Sequence, residues 1–510
     1  MTESGSPRWW RRFAHADFRV LAIFRIALAF VLLVDLGSRA QEMLLHYSDL
    51  GLVSAHFAIA AKLEALQPTY LFGIRWPYLV KGFFAFTAAS YVALALGWQT
   101  RISTFLALLC TLSIHSRNFM IGHAGDALSH ALLAWALFLP LGARWSIDDY
   151  LRRRPGPARV LTHYDRRLLA QSGTTSVAVL GLRVEMVAFF VLNGLAKSGA
   201  TWADGSAWHH ILWLDSMARS PAAFAREHLP DGLFVAATYL HPWVEILGGL
   251  ALLAAFVWVR RGALVALASL WLGIGMFVQQ GSLPALVLVG LVIFLREDEL
   301  LRWPDEPPRS PSERPPHRIE GVAVIARECL AALFLLAALA SMSARNASLP
   351  DALRMKTAPA WSEVFNEPLM LAHAWGAFAP DPPTVDGRFV LIGRTRSGEW
   401  VEVVRGGDRQ AGLERAMGSE RSMQDLAFDV RLRLGWLETM KPELARFCWN
   451  AHLLASSGAD EPLVECRGLL YERPNPALGS DQPPALQAPR VVFAARHRES
   501  FQDKAAQSSP

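Results

Sequence analysis

Charge is scarce in this chain: Asp, Glu, Lys and Arg supply 19% of its 510 residues, where a soluble globular protein carries about 25%. Cysteine is scarcer still, with only Cys110, Cys329, Cys448 and Cys466. No Cys-x-x-Cys pair and no Cys/His zinc spacing occurs, which excludes a zinc finger and a thioredoxin-type redox motif. Also missing are a GxSxG elbow, a phosphate loop, a HExxH pair and a dinucleotide fingerprint in a usable context. Gly273-Ile274-Gly275 falls within an apolar block and signals only close helix packing. No internal repeat is visible.

What the chain has is apolar residues in blocks. Hydrophobic residues make up 52%, and the blocks approach the length of roughly 20 residues that a helix needs to cross a bilayer. They lie at about 20–37, 79–98, 102–117, 126–142, 176–196, 233–257, 262–278, 283–296 and 322–341. The N-terminus is basic (Arg8, Arg11, Arg12), and the first block is too long for a signal peptide, with Asp35 and Arg39 after it. It is therefore read as a retained span.

Direction follows from the cations. Arg8–Arg12, Arg101, Arg144–Arg167, Arg260–Arg261 and Arg296–Arg318 fall on one side if the crossings number about nine. That puts the N-terminus in the cytoplasm and the C-terminal region in the periplasm, in the inner membrane. Trp98, Trp145, Trp258 and Trp303 mark cytoplasmic ends, and Trp76 and Trp202 outer ends. The net charge of +5 is explained by these loop arginines, so the expected partner is a lipid bilayer and not nucleic acid.

The expected architecture is an α-helical polytopic membrane protein with a small C-terminal α+β extramembrane domain. Residues 1–17 are a basic cytoplasmic N-terminus, 18–341 the transmembrane domain, 342–473 the periplasmic domain and 474–510 a disordered tail. Segment 38–78 is too polar to span and reads as an outer loop with an interfacial helix at 56–66; 304–316 reads as a Pro-rich linker. In the C-terminal domain, Arg388–Thr395 and Glu399–Arg405 alternate around Ser397-Gly398 as a hairpin, 410–457 is mainly helical and Leu463–Tyr471 is a further strand. Cys448 and Cys466 could pair if this domain lies outside the cytoplasm.

Ionisable residues inside apolar blocks need a partner or a water-filled cavity. Arg25 and Asp35 in the first block suit pairing between helices. Arg183 and Glu185 lie near the cytoplasmic end, within reach of snorkelling. His241 and Glu245 stand one turn apart on one face and suit either proton handling or helix-to-helix hydrogen bonding. His123, Asp126 and His130 could share a face, but Gly122 and Gly125 place His123 in a loop with Asp126 capping a helix, so no metal is expected. His209 and His210 belong to an outer surface helix. Lys197 ends the fifth block and is either a snorkelling lysine or a desolvated amine that acts as a base.

At several of these places the chain resembles the horizontally transferred transmembrane domain family, which includes the vitamin K-dependent gamma-glutamyl carboxylases. Phe24-Arg25 with Asp35 is similar to that family's first helix, and Gly97 through Arg101-Ile102-Ser103 to its second cytoplasmic turn. Gly125-Asp126 and Trp145-Ser146-Ile147-Asp148 resemble the fourth helix and its exit. Asn193-Gly194-Leu195-Ala196-Lys197, then Trp202 and Gly205, resembles the segment with the carboxylase's catalytic lysine, and Glu245 falls where the family often has an acid. The resemblance implies a membrane enzyme with Lys197 as base, Glu245 or His241 as proton relay, a reduced quinone of the menaquinone or vitamin K type as cofactor, and a peptide or lipid substrate. The carboxylases' Asn-Asn-His run is not in register, since the chain has His123-Ala124-Gly125-Asp126, and Leu272 or Gly273 stands where they have a histidine. The second open reading is a non-catalytic receptor, export or immunity partner.

Overall fold

The helices form where the apolar blocks meet good stop signals. In the computed structural model, α1 (Phe18–Gln41) starts at Asp17, whose carboxylate caps the Arg19 amide. Helix α2 (Pro77–Leu96) carries proline in its first turn and stops at Gly97, in the left-handed region at φ +66°. Then follow α3 (Thr100–Arg117), α4 (Ala124–Ala136), α5 (Val177–Ala196), α6 (Asp231–Ala251), α7 (Val257–Phe277), α8 (Leu283–Leu291) and α9 (Arg318–Arg345). The structure describes residues 12–61, 76–154, 162–300, 318–371, 373–404, 422–454, 461–480 and 486–496. Arg8, Arg11, Trp303, the 304–316 linker, 410–421 and the second half of the 56–66 helix lie outside them.

Six of these helices, α1, α2, α5, α6, α7 and α9, are long and apolar enough to cross a membrane. Helix α3 is long but more polar, α4 has 13 residues, and α8 has nine before a 3-10 turn at Val292–Phe294. Helix α5 is the central one: 72% of its apolar window is buried, against 22% for α9. It packs along α6 and α9, while α1 packs on α2 and α8, and α3 and α8 each pack on α4. The outward faces stay apolar, with Phe30, Phe86, Leu247, Val265 and Ile325 all exposed. A belt of this kind is costly in water and suited to lipid, and the molecule fits a multi-pass membrane protein. Trp76, Trp98, Trp145 and Trp258 are exposed, as interfacial rings should be. Trp202, expected at an outer boundary, is instead buried in the core.

A small antiparallel ribbon joins β1 (His15–Asp17) to β2 (Gly173–Thr175), tying the start of α1 to the start of α5. The C-terminal domain holds the second sheet, made of β3 (Val385–Arg394), β4 (Trp400–Glu402), β5 (Glu465–Pro474) and β6 (Arg490–Arg496) in the order β4-β3-β5-β6, all antiparallel. The expected hairpin is β3–β4, turning at Gly398 with φ +96°. Strand β6 corrects the expectation of a disordered tail from 474. Its residues alternate poorly in burial, and its place is fixed by the free edge of β5. Helices α10 (Met423–Arg431) and α11 (Leu437–Asn450) pack beside the sheet, and Cys448 of α11 is joined to Cys466 of β5 by a disulfide.

Candidate functional site

The sequence places Asn193 and Lys197 one helical turn apart at the C-terminal end of α5, and His241 and Glu245 one turn apart in α6. The two helices come close because Gly194 faces Pro242; a Cβ there would stand 2.8 Å from the Pro242 carbonyl oxygen and 2.7 Å from Ile246. That close approach brings the four side chains together. Lys197 Nζ donates to Glu245 Oε2 at 2.6 Å and to the Asn193 carbonyl at 3.0 Å. Asn193 Nδ2 donates to the other carboxylate oxygen, Oε1, at 2.6 Å. The Lys197 and Glu245 side chains are both 0% exposed. Lys197, Glu245 and His241 are thus one cluster, and Lys197 does not snorkel.

His241 completes the cluster. Trp208 Nε1 donates to His241 Nδ1 at 3.2 Å, which assigns the proton of the neutral ring to Nε2. Nε2 points toward Glu245 Oε1 at 3.4 Å but makes no hydrogen bond, and it is buried. Trp202 stands edge-on to His241 with ring centres 5.5 Å apart, and Lys197 Nζ lies 5.7 Å from the centre of the Trp202 ring. The site is therefore an ion pair and an imidazole walled by two indoles.

The C-terminal domain seals this site. Ala377 N–H donates to Asn193 Oδ1 at 2.6 Å, and Trp202 Nε1 to the Phe378 carbonyl at 3.0 Å. Gly199 N–H donates to the Pro380 carbonyl. The Asp381 carboxylate accepts from the Ala200 and Thr201 amides and from the Thr201 hydroxyl. Gly199 is required here, since a Cβ would collide with the Asp381 carboxylate. Burial pushes the Asp381 carboxyl up, but the hydrogen bonds from Thr201 and Ala200 outweigh it and hold the group below its ordinary range.

No protein family, no curated protein and no solved structure matches this chain. The resemblance drawn above rests on the quoted residues alone.

Other expected groupings come out differently. Arg25 is fully buried and donates away from its own helix, to the carbonyls of Leu141, Arg144 and Trp145 in the turn after α4. Asp35 accepts from Arg39 at 2.7 Å in its own helix. Arg183 does not snorkel: it is buried and donates to the Ile293, Arg12 and Phe13 carbonyls. Glu185 lies 3.2 Å from His373 Nε2 in the core. His209, expected on a surface helix, is buried beneath the C-terminal domain with its Nε2 3.0 Å from the Pro476 carbonyl.

His123 and Asp126 form a reciprocal cap at the start of α4, each binding the other's turn, with His123 and not Asp126 at the cap position. Asp126 and His123 then join a second buried cluster. Arg39 donates to Asp126 at 2.5 Å and lies 3.2 Å from His123 Nε2, while His115 and His130 share a 2.9 Å hydrogen bond. Sequence reading gave no role to Arg39, to His115 or to Tyr47, whose hydroxyl accepts from Arg39 Nη1 at 3.1 Å, nor to Asn193 and Trp208 at the lysine site. The i, i+4 spacings Asp35/Arg39 and Asn193/Lys197 carried a signal for two of them; His115 and Trp208 join through tertiary packing.

Proposed function

We propose that the chain is a multi-pass inner-membrane enzyme that moves protons at Lys197, with a reduced quinone as cofactor and a periplasmic peptide or lipid as substrate. The supporting observation is the convergence of Lys197, Glu245 and His241, at full burial, beneath a segment of the C-terminal domain. About nine crossings, with the N-terminus cytoplasmic, put that cluster and the C-terminal domain on the outer face. The Cys448–Cys466 bond supports this placement, because disulfides persist in the periplasm.

The donor set suits a quinone oxygen. His241 Nε2 is a buried donor without a hydrogen-bond partner, and the Trp202 and Trp208 rings beside it offer flat apolar walls. A reduced quinone supplies the reducing equivalents of the reaction. Glu245 sets the state of the amine. Transfer of a proton from Nζ to Oε2 along their 2.6 Å contact leaves both groups neutral. The neutral amine is then the base. Asn193 holds Glu245 through Oε1 and is itself held by the Ala377 amide, so docking of segment 376–381 and orientation of the carboxylate are coupled.

A second reading has one observation in its favour: both members of the ion pair are fully satisfied, as in a structural clamp that docks the C-terminal domain. Mass spectrometry of lipids co-purified with the protein separates the two. The enzyme reading expects a quinone with the wild type and its loss in His241→Ala that circular dichroism shows folded; a quinone-free wild type favours the clamp.

A further inference from the structure

A different group of side chains lies where the outer loop meets the C-terminal domain. Glu42 ends α1, and His46 follows one turn later in the short helix Met43–Tyr47. Asp425 sits in the first turn of α10, far away in sequence. His46 is fully buried, and neither of its ring nitrogens makes a hydrogen bond. Its Nε2 nevertheless faces two carboxylates, at 3.4 Å from Glu42 Oε2 and 3.5 Å from Asp425 Oδ1. A buried imidazole with both nitrogens unmatched is costly, and something has to offset that cost.

We propose that Glu42, His46 and Asp425 bind one divalent cation of the zinc class and thereby fasten the C-terminal domain to the membrane domain. The three donor atoms lie within 4.8 Å of one another. Zinc holds nitrogen and oxygen ligands at about 2.0–2.2 Å in a tetrahedron, so its ligands stand about 3.3–3.6 Å apart. The two distances from Nε2 match that edge and exceed the length of a good hydrogen bond. An imidazole in the set favours a transition-type ion over magnesium or calcium.

The surroundings orient the ligands. Ser422 caps α10 by accepting from the Asp425 amide at 3.2 Å, and its hydroxyl donates to Glu42 Oε2 at 2.7 Å. Asn118 Nδ2 donates to the His46 carbonyl at 3.0 Å and fixes that backbone. One hydroxyl therefore ties the Glu42 carboxylate to the backbone turn that carries Asp425, as outer partners of a metal site do. The other grouping of this kind, Asp35, His115 and Asp126, is a poorer host. The Arg39 guanidinium already binds both of its carboxylates and would repel a second cation.

The full chain in detergent, stripped with chelator and dialysed against zinc, tests this. Elemental mass spectrometry is expected to find one retained equivalent in the wild type and in His115→Gln. Asp425→Asn and His46→Gln should bind at least about tenfold more weakly, while circular dichroism shows them folded. Zinc should raise the melting temperature of the wild type and not that of Asp425→Asn. A wild type that retains no zinc overturns the proposal. So does an equivalent that survives in folded Asp425→Asn and His46→Gln, or one lost only in His115→Gln.

Discussion

Gly97 shows how tightly single residues are held at the turn between α2 and α3. Its φ of +66° is expensive for any side chain, and an added Cβ would collide with Ser146 and approach Arg25 Nη1 at 2.9 Å. Gly97→Ala should therefore destabilise the protein by about 1–3 kcal/mol, read as a lower melting temperature in detergent. Arg25 closes the same corner by binding three carbonyls of the 141–145 turn. Arg25→Ala leaves those buried acceptors unmatched and should cost about 3 kcal/mol; Arg25→Lys should rescue only part, since an ammonium lacks the planar fork. The sequence made Arg25 conspicuous as a cation in an apolar block but could not name its partners. They are backbone carbonyls, which carry no residue identity.

At the scale of elements, the contact between segment 376–381 and the loop after α5 decides whether the lysine site is closed. Asp381 holds that contact with a carboxyl whose acidity is raised by the Thr201 and Ala200 hydrogen bonds. A carboxyl lowered below its ordinary 3.8 on folding adds stability that is complete above that value and is lost as pH falls through the folded one. The protection of amides in 376–381, taken relative to intrinsic exchange at each pH, should therefore fall below about pH 4, and Asp381→Asn should show low protection already at pH 7. An unchanged rate in that variant would remove Asp381 from the seal. The disulfide acts on a different pair of elements, closing a loop of 18 residues between α11 and β5. Cys466→Ser should cost the domain about 3 kcal/mol, seen in denaturant melts under oxidising conditions. Helices were legible from apolar runs and the β3–β4 hairpin from its alternation and Ser397-Gly398 turn. Strand β6 was not, because an edge strand takes its position from the neighbour's backbone, and Arg490–Arg496 has little pattern of its own.

For the whole molecule, the proposed function requires the Lys197 cluster and the C-terminal domain to share the outer face. The sequence reveals both halves of the site separately: Lys197 at the end of one apolar block, His241 and Glu245 inside another. What it could not reveal is that Gly194 lets α5 and α6 touch at this level, or that residues 377–381 fold back over the pair. The direct test is oxidation of reduced menaquinone by dissolved oxygen in lipid nanodiscs that carry the protein, measured above the rate in empty nanodiscs. The double variant Lys197→Met, Glu245→Leu replaces the buried pair by apolar residues of similar size, a change that folds without an unmatched charge. The account predicts turnover by the wild type and none by this variant, with both folded by circular dichroism. Equal turnover by the two proteins would contradict it.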